Sequence, residues 1–274
     1  MSSHCRERRI AHALCALAAM LAFGHVNARE LRVCADPDNM PFSDAERHGF
    51  ENRIVELIAS DIGATVAYYW LPQWRGFTRK TLLEGHCDVI PGVPAETRNV
   101  LTTAPYYRST YALVFRADRV PGFAGLHDPR LSKLRIGVAL PGIDATPSPP
   151  GRALARRGIF DNVVGFPVIS DVPVAKRMVD ALTRGDLDVA ALWWPQAGYF
   201  VARARVPLSP APLEPDDGDP SFAFAIAMAV RPDDAELRRT LDAALARLRP
   251  PIAAVLDEYA VTAPFFQRAA AAAR

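Results

Sequence analysis

Apolar positions recur along the chain in two similar arrangements. Residues 31–35 (LRVCA) form a short apolar run ending in Asp-Pro-Asp-Asn, a strand entering a loop. Phe50, Ile54, Leu57, Ile58 and Ile62 follow at helical spacing and stop at Gly63, which predicts a helix over 50–62. β-Branched and aromatic residues predict a strand over 65–71, a second helix over 74–84 closes at Gly85, and 88–93 reads as a third strand. A second set begins with a strand over 111–117, leading into a loop around Pro121-Gly122. It continues as a strand over 134–140, a short helix over 152–157 ended by Gly158, and a strand over 163–168. A helix over 173–184 carries Val174, Met178 and Leu182 on one face and ends at Gly185, and 187–193 is again an apolar strand. Strands alternating with helices predict an α/β fold, with parallel sheets covered by helices on both faces.

The last part of the chain returns to the first unit. Phe222, Phe224, Ile226, Met228 and Val230 alternate with Ala, which fits a strand buried on both faces. A helix bearing Leu237, Leu241, Ala244 and Leu248 follows, with a break at Pro250-Pro251. A terminal segment this apolar needs a core to cover, and the first unit has the space. The expected organisation is a first lobe of residues 29–115 plus 222–274 and a second lobe of 116–221. The lobes are joined by crossings near 111–117 and 219–226, and a two-crossing hinge lets a cleft open and shut around a ligand.

The first 28 residues read as an address. Arg6, Arg8 and Arg9 precede an apolar run over 10–23 and a small-x-small site at Val26-Asn27-Ala28, the pattern of a secretory signal peptide too short to span a membrane. A lipoprotein anchor on Cys15 is disfavoured because Leu14 stands where a lipobox needs Gly or Ala. The chain has 274 residues with 32 Lys+Arg against 30 Asp+Glu, and cutting after Ala28 leaves 29 of each sign. Half the residues are hydrophobic and 23% charged, which excludes a disordered chain and argues against a nucleic-acid binder. With no second apolar stretch near 20 residues, the mature protein is expected to be soluble and exported, with no membrane anchor. Its 24 prolines are scattered and read as loop punctuation.

Export decides how the cysteines read. Cys5 and Cys15 leave with the signal. Cys34 and Cys87 remain, and two cysteines in an oxidising compartment are expected to pair rather than stay as separate buried thiols. The bridge closes a loop of about 54 residues, worth on the order of 4 kcal/mol by chain entropy. Neither cysteine lies in a CxxC or has a His at ligand spacing, so no metal site is expected.

Five segments carry a resemblance: LRVCADPDNMPFS (31–43), GFENRIVELIASDIGA (49–64), CDVIPGVPA (87–95), LTTAPYYRSTYALVFR (101–116) and LDVAALWWPQAGYF (187–200). In this order they resemble a type II periplasmic binding protein of solute-binding family 3. More narrowly, they resemble the MxaJ/XoxJ group of binding-protein-like partners of PQQ-dependent methanol dehydrogenases. The resemblance implies a periplasmic accessory protein beside a quinoprotein alcohol dehydrogenase and its cytochrome c, with no cofactor of its own and no catalysis.

In that architecture the loops after the strands' carboxyl ends face the cleft. This places Asp36, Asn39, Met40 and Phe42 on one wall, with Gly92, Val93 and Pro94 from the third strand and Tyr106 and Tyr107 close by. Pro141, Gly142, Asp144, Trp193, Trp194 and Gln196 are expected from the second lobe. Read singly, Phe42 or Trp193 is a packing aromatic and Asp36 a turn residue of its Asp-Pro pair. Amino-acid-binding relatives clamp their ligand between an Arg after the third strand and an acid in the second lobe. Here Trp193 and Trp194 stand where the acid is expected, and Arg98 lies in a shortened segment.

The expected cleft is therefore aromatic, weakly charged and suited to a small neutral or apolar ligand, a peptide segment, or nothing, with a transporter receptor for a small non-amino-acid solute as the alternative function. An enzyme would need a cleft acid/base pair, for which only Asp36 and Asp144 qualify. His48, His86 and His127 read as surface residues. Trp74 and Phe77, three apart on the expected second helix, read as core rather than as a partner surface with Trp70 and Arg75.

Overall fold

The fold is described from a computed structural model covering residues 29–141, 147–214 and 221–262. The expected signal peptide, Gly142 and Asp144 lie outside the described residues. In the first lobe β1 (Arg29–Ala35) leads into a hairpin of β2 (Asp38–Asn39) and β3 (Ser43–Asp44), then α1 (Phe50–Asp61), β4 (Ala64–Trp70), α2 (Phe77–Lys80), β5 (Val89–Pro94) and β6 (Leu101–Thr102). A long strand, β7 (Tyr107–Phe115), leads to the second lobe. There follow β8 (Ile136–Leu140), α3 (Pro149–Arg156), β9 (Val163–Pro167), α4 (Val174–Arg184), β10 (Val189–Trp193), α5 (Trp194–Val201) and β11 (Ser209–Pro212). Then β12 (Ala223–Val230), α6 (Ala235–Arg247) and α7 (Arg249–Glu258) return to the first.

Parallel pairing holds within each repeated unit: β1 with β4 and β5, and β8 with β9 and β10. The two crossing strands run antiparallel to their neighbours, so the sheet is mixed, in the order β4-β1-β5-β12-β7-β10-β8-β9. Strand β7 changes partner partway along. Residues 107–110 pair with β12, and residues 111–115 pair with β10 and β11. Phe222 packs in the second lobe's core while Ala223 opens β12. The changeovers therefore fall at Thr110/Tyr111 and Phe222/Ala223.

Each lobe has a core on both sheet faces. In the first, Phe50, Ile54 and Ile58 of α1 meet Leu31, Val33 and Met228 of the strands, covered by Leu237 and Leu241 of α6 and Ile252 and Val255 of α7. The opposite face holds Phe77, Leu82, Ile90 and the disulfide Cys34–Cys87, with S–S 2.00 Å. The second lobe sandwiches its strands between Met178 and Leu182 of α4 and, on the other side, Leu131, Ala153 and Leu154.

Two helices differ from expectation for identifiable reasons. The helix expected over 74–84 is the single turn Phe77–Lys80, because Gly76 sits at φ 94 and ends the loop behind it. The break expected at Pro250-Pro251 falls earlier, at Leu248. The two prolines occupy the first turn of α7, where their missing N–H groups have no helical partner to lose.

Candidate cleft between the lobes

A cavity of about 510 Å³ lies between the lobes at the carboxyl ends of the parallel strands. The loops after β1 and β4 supply Asp36, Asp38, Asn39, Phe42, Gln73 and Trp74. The end of β5 supplies Gly92 and Pro94, and the first turn of α1 supplies Glu51. The second lobe contributes Ser148, Asp171 and the start of α4, with Trp193 and Gln196 at the junction of β10 and α5. Tyr107, Tyr111, Phe224 and Ile226 of the crossing strands form the back wall.

Of the residues expected here, Asp36, Asn39, Phe42, Gly92, Pro94, Tyr107, Trp193 and Gln196 line the cavity, as does Pro141. Four others do not. Val93 alternates to the opposite face of β5 and is buried in its core. Tyr106 packs on the first lobe's core and donates to the Pro91 carbonyl at 3.0 Å. Met40 sits in the hairpin, before a cis peptide to Pro41. Trp194 is the first residue of α5 and turns into the second lobe's core, leaving only Trp193 at the cavity, 5.2 Å from Tyr111 and 5.8 Å from Phe224. Trp74, expected in the core, lines the cavity instead, with the Lys80 ammonium 5.6 Å from its ring centre, while Phe77 is buried as expected.

Polar side chains form a chain across the cleft mouth. Asp36 accepts the backbone N–H of Asp38 at 2.9 Å and of Gln73 at 2.6 Å, tying the loops after β1 and β4 together. Burial raises its pKa, against the pull of those two amides. Asn39 donates to Gln73 Oε1 at 3.2 Å and accepts from Gln196 Nε2 at 3.0 Å, a hydrogen bond between lobes.

Glu51 was not legible as a site residue. It follows Phe50 at the start of α1, where the hairpin seals the helix end. Phe50 N–H donates to Pro41 O at 2.8 Å, Glu51 N–H to Phe42 O at 2.9 Å, and Asn52 Oδ1 accepts from Gly49 N–H at 3.1 Å. The Glu51 residue is 8% exposed, and its carboxyl makes no hydrogen bond or ion pair among the described residues. Burial without a compensating partner raises its pKa from 4.5 to about 8, so it holds a proton at neutral pH. Across the cavity, Ser148 Oγ is likewise buried with no hydrogen-bond partner.

The acidic residues lining the cavity among those described are Asp36, Asp38, Asp171 and the protonated Glu51, with no Lys or Arg. The expectation of a weakly charged cleft is thus corrected to an acidic one. Arg98 is exposed on a turn and is not among the lining residues. Away from the cavity, Asp44, Glu46 and His48 bring ligand atoms within 4.8 Å of one another, but Asp44 is already bonded to the His48 backbone and ring.

No protein-family profile matches the chain. Protein MoxJ of Methylorubrum extorquens is 32% identical to it over 249 residues, 86% of this chain and 82% of that protein. Protein MoxJ of Paracoccus denitrificans is 31% identical over 216 residues, 73% of this chain and 75% of that protein. The crystal structure of the periplasmic binding protein XoxJ from Methylobacterium extorquens AM1 superimposes with a TM-score of 0.69 at 34% identity, covering 84% of this chain and 97% of that one.

Proposed function

The chain belongs to the MoxJ family of periplasmic binding proteins and has their type II fold, and from that membership we propose that it is a periplasmic accessory partner of a PQQ-dependent alcohol dehydrogenase. It acts by binding a protein or a small ligand rather than by catalysis. The observation that carries this reading is the missing amino-acid clamp. The described lining has no guanidinium to take a carboxylate, and Trp193 stands at the end of β10, where the sequence leads one to expect the second-lobe acid.

The N-terminal 28 residues act as the export signal in this reading, and the mature protein begins at Arg29. No helix among the described residues is long and apolar enough to cross a membrane. The dehydrogenase is the partner in this reading.

Affinity capture with the tagged mature chain from a periplasmic extract of the producing organism, followed by mass spectrometry, tests the partner. A quinoprotein alcohol dehydrogenase is expected among the captured proteins. Calorimetry against the twenty amino acids tests the cleft, and micromolar binding of any of them overturns the accessory reading. The formed 510 Å³ cavity favours a second reading, a transporter receptor for a small non-amino-acid solute. Capture of a permease from detergent-solubilised membranes, with no dehydrogenase captured from the periplasmic extract, would establish it.

A further inference from the structure

We propose that the cavity binds a small organic ammonium ion that carries no carboxylate, with its N–H groups directed at the Glu51 carboxyl. The inference rests on reading the cleft as a ligand site and names the ligand's chemistry. Glu51, 8% exposed, lines the cavity from the first lobe with its carboxyl unpaired, and Ser148, whose Oγ is buried and without a hydrogen-bond partner, lines it from the second. A buried carboxyl is normally satisfied, and a ligand in the cavity is what can satisfy Glu51. An ammonium donates to the carboxylate in a charge-assisted hydrogen bond. The rings of Phe42, Tyr107, Tyr111, Trp193 and Phe224 supply faces that attract a cation and cover an alkyl body.

An anion has little to hold it here. The first-turn amides of α1 are spent on the hairpin carbonyls. In the second lobe, prolines occupy the first two turn positions of α3 and a place beside Trp194 in α5, and Pro173 caps α4, each removing an amide donor. The carboxylates of Asp36, Asp38 and Asp171 add only negative charge.

Binding also moves a proton. The Glu51 carboxylic acid gives its proton to solvent as the ammonium arrives, and the product is a buried carboxylate–ammonium pair. Asp36, Asp38 and Asp171 share the cavity with Glu51, and the titratable groups that interact with it directly are the phenols of Tyr68, Tyr106 and Tyr107. Burial raises all three above their ordinary range, so they stay neutral while Glu51 titrates.

Calorimetry of the mature chain with propylammonium, 1-propanol and propionate at pH 8.5 is the test. Propylammonium is expected to bind at least tenfold more tightly than either isostere. Its affinity should fall about tenfold for each pH unit below 8, with a heat that differs between phosphate and Tris buffers as a proton is released. Glu51→Gln should weaken propylammonium at least tenfold while its melting temperature does not fall, which separates lost recognition from lost folding. Equal or tighter binding of propanol or propionate, pH-independent affinity, undiminished binding by the variant, or no binding at all overturns the inference. A protein that captures the dehydrogenase yet ignores propylammonium sinks only this inference. One that binds propylammonium and captures no dehydrogenase sinks only the accessory reading.

Discussion

The Glu51 carboxyl lies against Cα of Gly92. A methyl group on Gly92 would stand 3.0 Å from Glu51 Cδ and overlap Oε1. The flexible end of Glu51, rather than the strand, has to give way, and the open direction is the cavity, where water rehydrates it. Gly92→Ala is therefore expected to change stability at pH 5 by less than about 1 kcal/mol and to flatten its pH dependence between 5 and 8. Urea titrations across that range check both.

The unmodified protein should lose stability as pH rises. Glu51 has a folded pKa of about 8 against 4.5 in the open chain, so between those values the unfolded state ionises while the folded state stays protonated. The stability tied to this group is fully present below pH 4.5 and lost by pH 8. The loss is on the order of 5 kcal/mol as an upper bound. Glu51→Gln removes that slope and should be the more stable protein at pH 8. A thermal series with both proteins that shows parallel pH curves would contradict this.

Gln196 holds the lobes together through Asn39. Gln196→Ala removes one hydrogen bond worth about 1 kcal/mol and is expected to leave global unfolding nearly unchanged. The lobe equilibrium should shift toward an open form, seen as a larger radius of gyration in small-angle scattering without ligand.

The Cys34–Cys87 bridge is fully buried between β1 and the start of β5. It should resist reductant in the native protein. Replacing both cysteines by serine should cost about 2–5 kcal/mol. Intact-mass measurement after alkylation without reductant should find no modified thiol.

Asp128 is buried and accepts the backbone N–H groups of Ala124 and Arg130 while pairing with the Arg130 guanidinium at 2.7 Å. Arg130 first, then the two amides, hold its pKa far below the usual carboxylate range. Its contribution is present above pH 4 and lost as the pH falls below that value. Asp128→Ala strands both amides and should destabilise by about 2–4 kcal/mol at pH 7, a gap that narrows in acid.

Periodicity read the fold well because each element buries a face. The α1 stripe of Phe50, Ile54 and Ile58 and the alternation through β12 are direct images of the two core faces. The cleft was half legible. The rule that ligands sit beyond the strands' carboxyl ends found Asp36, Gly92 and Trp193, but not which of two adjacent residues turns inward. Val93 went to the opposite face by strand alternation, and Trp194 was carried into the second lobe's core by the start of α5. Glu51 left no trace in the pattern. A polar residue one position along from Phe50 reads as a helix surface, and only the return of the hairpin and Gly92 encloses it. Trp74 was misplaced because helical spacing with Phe77 means nothing when Gly76 keeps the two out of one helix.

Because one unbroken strand gives residues 107–110 to one sheet neighbour and 111–115 to others, neither lobe can be excised without tearing a ladder and leaving a raw edge on both pieces. Recombination that shuffles whole modules cannot trade one half of this protein for another. The halves must be inherited together, and any change in what the groove accepts has to come from point substitutions in its walls.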